Sequence, residues 1–245
     1  MTSHADFAAA RNSVLAEIPS DGGIGTLSEK MMHKILKLYI EPDADNHEVA
    51  YLGSVADVKN DDGIFEIQSL NFSYLVPKLR KFLTSDKVTV IYPIVGSKTV
   101  LWIDKESGEI TAPRKTTRQG RATDVYYVAS AISDFIPHEN LTLRVIIMSA
   151  EEYKYLDGYG QSRKKRATKI DRIPTGIEQE ISLHTVDDYA SLLPPLPDIF
   201  TAKDFSSALR LRGRRASYSL SFLRRIGVII QTGKRGRAYL YTLKK

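Results

Sequence analysis

Two carboxylates and an amide, Asp57, Glu66 and Gln68, sit in residues 55–68, VADVKNDDGIFEIQ, at spacings that gather them on one surface. Residues 55–59 and 64–68 each mix β-formers with polar residues, and Asn60-Asp61-Asp62-Gly63 between them carries turn chemistry. Two registers of the resulting hairpin are open. A turn at Asp62-Gly63 sets Lys59 opposite Glu66 and Asp57 opposite Gln68. A turn at Asp61-Asp62 sets Asp57 directly opposite Glu66. Side chains alternate along strands, so both registers put Asp57, Glu66 and Gln68 on one sheet face. Clustered carboxylates are costly to bury without a partner. A hard divalent cation is the natural one, since Mg²⁺ takes carboxylate and carbonyl oxygens.

The elements around the hairpin are legible. A helix running to about Ile40 and stopped by Pro42 carries Leu27, Met31, Ile35 and Leu38 at helical spacing, with Thr26 or Ser28 as its cap. Glu29 and His33 share one of its faces. Residues 47–52 read as a first strand and 71–83 as a helix bearing Lys78, Arg80 and Lys81. The apolar run 88–95, VTVIYPIV, reads as a central strand. Reaching it through a helix from the Glu66 strand makes a βαβ crossover, so those two strands are expected to be parallel. Residues 99–103 and 109–111 suggest a further hairpin, 124–135 a helix and 141–149 another buried strand.

A helix with a glutamate, a strand, a strand with Asp and a strand with Glu-x-Lys is the signature of the PD-(D/E)XK nuclease superfamily. Residues 27–95 resemble it, with Glu29, Asp57, Glu66 and, in the lysine place, Gln68. The order is most similar to that of small Holliday-junction resolvases. The resemblance implies metal-assisted hydrolysis of phosphodiesters. Asp57, Glu66 and the Ile67 carbonyl would hold Mg²⁺ or Mn²⁺, and Glu29 would complete the shell or bind a second ion. Gln68 would position water or phosphate, bringing hydrogen bonds but no charge. The missing positive charge would come from Lys78 on the following helix, from Lys34 beside Glu29, or from Lys59 in the register that turns it toward Glu66.

Composition bounds the rest. With 245 residues and 42% hydrophobic content, the chain can form one large domain or two small ones around a packed core. No cysteine is present, which excludes disulfides and thiolate metal sites. No apolar run approaches the roughly 20 residues of a membrane span, and no signal peptide is read near the start. The net charge of +6 is uneven: residues 198–245 hold twelve Lys or Arg against two acids, a net +10, which leaves −4 for the 197 residues before them. A basic module on a mildly acidic body suits a polyanionic partner. Two more basic segments, 114–121 and 163–172, read either as solvated loops or as phosphate-contacting flaps. Tyr153, Tyr155 and Tyr159 beside the second would pack beneath it or stack on bases.

After the proline joint 193–197, Thr201 and Asp204 have capping-box spacing at a helix start. A short turn at 210–213 leads to a second helix, 214–226, ending at Gly227. Residues 228–231 and 238–243 then pair around a basic tip. This pattern looks like a winged helix-turn-helix, with 184–193 supplying its first helix. In such a module the second helix enters the major groove and the wing meets backbone. The expected DNA contacts are Arg214, Arg215, Ser217, Tyr218 and Ser221 on the helix, and Lys234, Arg235 and Arg237 on the wing. Leu220, Leu223 and Ile226 should face the core.

The sequence therefore leads to an α/β protein. Its expected parts are a lead-in over 1–25, a three-layer α/β/α restriction-endonuclease-like core with a mixed sheet over 26–182, and a small winged-helix domain over 183–245. The expected activity is metal-dependent endonucleolytic cleavage of DNA in the prokaryotic cytosol or nucleoid, with no membrane and with a homodimer as a further partner. The alternative is a nuclease-like DNA-binding regulator or defence accessory protein without chemistry.

Overall fold

The computed structural model describes residues 4–17, 28–104, 107–111, 113–116, 120–156 and 168–244, with the side chains of 4, 5, 28–30, 156 and 168–171 left aside. Its architecture is mixed α/β. The main sheet runs β1 (His47–Tyr51), β2 (Ser54–Asn60), β3 (Gly63–Ile67), β4 (Val88–Asp104), β6 (Leu141–Leu156), β7 (Thr168–Leu183), and the short β5 (Arg114–Lys115) also pairs with β4. The chain divides into two compact units, one of Met1–Val49, Pro93–Arg121 and Ile146–Glu180, the other of Ala50–Tyr92, Ala122–Val145 and Ile181–Lys245. Among the described residues no helix is long and apolar enough to cross a membrane.

In the first unit α1 (His4–Ala16) packs on α2 (Ser28–Ile40). Phe7 meets the Tyr39 ring edge-on at 5.6 Å, and the Tyr39 hydroxyl donates to Glu180. The expected lead-in thus contains an ordered helix. Of the expected apolar stripe Met31 and Ile35 are buried and Leu38 is half-buried, while Leu36, outside that stripe, is fully buried. The two strands expected at 88–95 and 99–103 are one long strand, β4, and residues 109–111 contribute an isolated bridge, Ile103 to Ile110. Strand β7 was not anticipated, because Pro174 and Gly176 interrupt its sequence. It lies at the end of the sheet order, where a proline costs no ladder hydrogen bond to a further strand.

In the second unit, β2 and β3 form the expected hairpin. Its register pairs Asn60 with Gly63, Lys59 with Ile64 and Val58 with Phe65. The turn is therefore Asp61-Asp62, steadied by the Asp62 N–H donating to Asn60 Oδ1 at 3.0 Å. Gly63 is required there: its φ is +127°, and a Cβ would lie 2.5 Å from the Lys87 carbonyl oxygen. Strands β3 and β4 are parallel, pairing Glu66 with Val90 and Ile67 with Ile91. The crossover between them carries α3 (Val76–Phe82), with Leu79 and Phe82 fully buried. The helix expected over 124–135 is instead a short α4 (Val125–Ala129) between two 3-10 turns.

The C-terminal part of this unit holds α5 (Val186–Ser191), β8 (Phe200–Thr201), α6 (Ala202–Ala208), α7 (Arg214–Arg225), β9 (Ile229–Arg235) and β10 (Ala238–Leu243). The strands form a small antiparallel sheet in the order β8, β10, β9. Thr201 and Asp204 make the reciprocal capping box expected of them. Gly227 follows α7 with φ +85°, the left-handed stop that glycine supplies. Leu220, Leu223 and Ile226 are buried, as their helical spacing requires.

Candidate functional site

The hairpin register decides what faces Glu66. Continued by one pair, it places Asp57 opposite Glu66 on one sheet face, with Lys59 and Ile64 beside them. The Asp57 carboxylate accepts the Ile67 backbone N–H at 2.8 Å, meeting a donor one residue beyond Glu66. Glu66 is 2% exposed. From the crossover helix, Lys78 Nζ reaches both of its oxygens, at 2.7 and 3.0 Å. Burial, and then the Asp57 charge, push the Glu66 carboxyl up to about 7, against the hydrogen bonds and charge of Lys78.

The structure thus brings Asp57, Glu66 and Lys78 together, and the other two candidate cations have other partners. Lys59 pairs with Asp86 at 3.7 Å and lies over the Tyr51 ring. Lys34 pairs with Glu17. Gln68 is half-buried two residues past Glu66 on the same strand direction, and its N–H donates to the Ile91 carbonyl at 2.9 Å. The Glu29 side chain lies outside the described residues. Among the described residues no group of three or more His, Asp or Glu forms a metal cluster. Asp57 and Glu66 are the carboxylates from which a cation there would draw oxygens, and both Glu66 oxygens are bonded to Lys78.

The basic C-terminal elements present a second surface. Arg214, Ser217 and Ser221 are exposed and lie on one side of α7, away from buried Leu223. Lys234 lies over the Tyr239 ring at 4.7 Å, and Arg235 and Arg237 are exposed on the hairpin tip. Arg215 and Tyr218, expected with the outward group, turn toward α4 instead. Arg215 approaches Asp124 at 3.9 Å and lies over the Tyr127 ring. Tyr218 meets Tyr127 edge-on at 5.9 Å. On the inner side Phe222 packs against the rings of Tyr126 and Tyr189, and Arg225 donates to Ser133 at 3.0 Å.

A cluster in the first unit escaped the sequence. Glu152 on β6 is buried and paired with Lys98, Lys154 and Arg172 at 2.9, 3.1 and 2.7 Å. Burial raises its carboxyl pKa, but the hydrogen bonds of the three cations outweigh that and hold it near 2. Arg172, in the segment read either as a solvated loop or as a phosphate-contacting flap, is therefore committed to a carboxylate. Residues 163–167 and Tyr159 of that segment lie outside the described residues, and Tyr153 donates to Glu151 at 2.8 Å.

These features define a mixed α/β protein carrying a buried carboxylate–lysine pair and a basic C-terminal helix-and-hairpin element. The chain belongs to the family described as a domain of unknown function, DUF8091, whose model matches residues 30–184 and so includes Asp57, Glu66 and Lys78. It is 32% identical over 220 residues to an uncharacterized protein of Treponema pallidum (strain Nichols), covering 89% of this chain and 86% of that protein. A likeness of that length has to continue past residue 184 into the C-terminal elements. No solved structure matches the chain.

Proposed function

We propose that this chain is a DNA-binding protein that hydrolyses phosphodiester bonds with a divalent metal held by Asp57 and Glu66. In this reading the first part is a PD-(D/E)XK core of restriction-endonuclease type and the C-terminal elements are a winged helix-turn-helix. The observation that carries it is Lys78 Nζ 2.7 Å from buried Glu66, beside Asp57. Gln68 leaves the family's lysine place without charge, and the crossover helix returns an ammonium to the same carboxylate. Mg²⁺ or Mn²⁺ would polarise the phosphate and lower the pKa of an attacking water. Bound beside Glu66, it would keep that carboxylate ionised. Lys78 would then be available to the charge that builds on the phosphate oxygens, with Gln68 orienting the water by hydrogen bonds. Arg214, Ser217, Ser221 and the tip cations Lys234, Arg235 and Arg237 would hold the duplex.

The test incubates the full chain with supercoiled plasmid, branched DNA and single strands in Mg²⁺ or Mn²⁺, beside Asp57→Ala and Lys78→Ala variants. Metal-dependent cleavage by the wild type, lost in Asp57→Ala and lowered roughly 100-fold or more in Lys78→Ala, is expected. Cleavage that all three proteins share, or that survives EDTA, rejects the assignment. A second reading, DNA binding without chemistry, is favoured by Gln68 and by Lys78 holding both oxygens of Glu66, where a metal would bind. It takes precedence if wild type and variants bind DNA alike and none cuts.

A further inference from the structure

The sheet face that carries Glu66 continues into a pocket of about 440 Å³, lined by Ser69, Tyr92, Tyr127 and Tyr218, with Asp124 and Arg215 among its polar groups. All of these lie in the second unit. The register fixes their relation to Glu66. Val90 pairs with Glu66, and Tyr92, two residues further along β4, is on the same face by the alternation of the strand. Ser69 follows Glu66 by three residues, in the bend just past the end of β3. Tyr92 therefore lies about 7 Å along β4 from the residue that pairs with Glu66, by strand rise.

Its chemistry is that of a nucleobase site. The volume lies in the range of small-molecule pockets, roughly 300–1,000 Å³. Tyr218 is 52% exposed and offers a ring face at the rim. The Tyr127 ring stands across it at 83°, with the Arg215 guanidinium over Tyr127 at 5.6 Å. Aromatic faces and arginine planes are what unstacked bases settle on, whatever their identity. The Asp124 carboxylate and Arg215 stand 3.9 Å apart, so one edge of the pocket presents an acceptor beside a set of donors. A base edge with both amino or imino hydrogens and ring acceptors satisfies both at once. A base inside a duplex cannot reach such a pocket.

We propose that this pocket takes an unpaired base of the DNA strand whose backbone crosses Asp57 and Glu66. The inference rests on the nucleic-acid reading above and narrows its substrate to DNA with unpaired nucleotides beside duplex, a branch, flap or overhang. It also gives Arg215 and Tyr218 a role distinct from groove contact: the outward side of α7 faces duplex, and its α4 side holds the extruded base.

The experiment is fluorescence anisotropy in EDTA, so that no cutting is involved. The full chain is titrated into a labelled single-stranded oligonucleotide and into an abasic strand of equal length and charge. Wild type is expected to prefer the base-bearing strand. Tyr218→Ala should weaken that complex roughly five- to a hundred-fold, leave the abasic complex unchanged, and melt with the wild type, while Tyr218→Phe stays near wild type. Equal affinity for both strands, or an equal loss on both in Tyr218→Ala, overturns the base pocket while leaving DNA binding and the nuclease reading intact. Free deoxynucleoside monophosphates competing at the oligonucleotide's own affinity overturn the strand assignment in favour of a small-molecule site. Failure to bind either strand also overturns the base pocket, and failure to bind a labelled duplex of equal length as well removes the nucleic-acid reading itself.

Discussion

At the scale of single residues, Glu66 should leave a mark on stability. Its carboxyl titrates near 4.5 in an unfolded chain and near 7 in the folded one. Below about pH 4.5 both states are protonated and the residue costs nothing. As pH rises from there to about 7, the folded state must either keep its proton or bury a charge, so stability falls, by about 3 kcal/mol in all. Glu66→Gln is expected to flatten this slope, with urea denaturation near pH 5 and near pH 8 as the check; a slope left unchanged would mean Lys78 already neutralises the cost. Asp57 and Glu66 were legible because a two-residue period is a local signal, whereas Lys78 was one of three candidate lysines until the structure set it on Glu66. Glu152 was not legible. Two of its three cations, Lys98 and Arg172, are 54 and 20 positions away, and no local pattern announces a pairing made by three different strands.

At the scale of elements, the hairpin and its parallel neighbour were readable because turn chemistry and apolar runs are short-range. The sequence left the register open, and Gly63 closes it. With φ at +127° and the Lys87 backbone in the way of any Cβ, this position starts β3 with glycine alone. Gly63→Ala is expected to cost at least about 1–3 kcal/mol and to disturb the pairing that sets Asp57 against Glu66. Chemical denaturation measures the first, and any surviving metal-dependent activity the second; full stability in the variant would contradict the register. Elements failed to show in the sequence where their signals were mixed. Strand β7 hides behind Pro174 and Gly176. The segment 124–135 has helical spacing, but only Val125–Ala129 holds α-helical form between its 3-10 turns.

At the scale of the whole molecule, the charge imbalance remains the broadest statement the chain makes. If the tip cations meet phosphates, the logarithm of DNA affinity should fall linearly with the logarithm of salt. The combined Lys234→Ala, Arg235→Ala and Arg237→Ala variant should shallow that slope by about 0.9 for each phosphate that the tip no longer neutralises. An unchanged slope would place the phosphate-binding cations elsewhere. Helix α7 adds a consequence of another kind. Its Phe222 is wedged against Tyr126 and Tyr189, one before and one after the 141–183 stretch of chain, and the Tyr126 hydroxyl donates to the Tyr189 carbonyl at 2.7 Å. The C-terminal elements therefore share a core with residues far upstream of the proline joint. They are no detachable cassette: cutting the chain at that joint would strand apolar surface on both pieces, and this unit should melt in one cooperative transition.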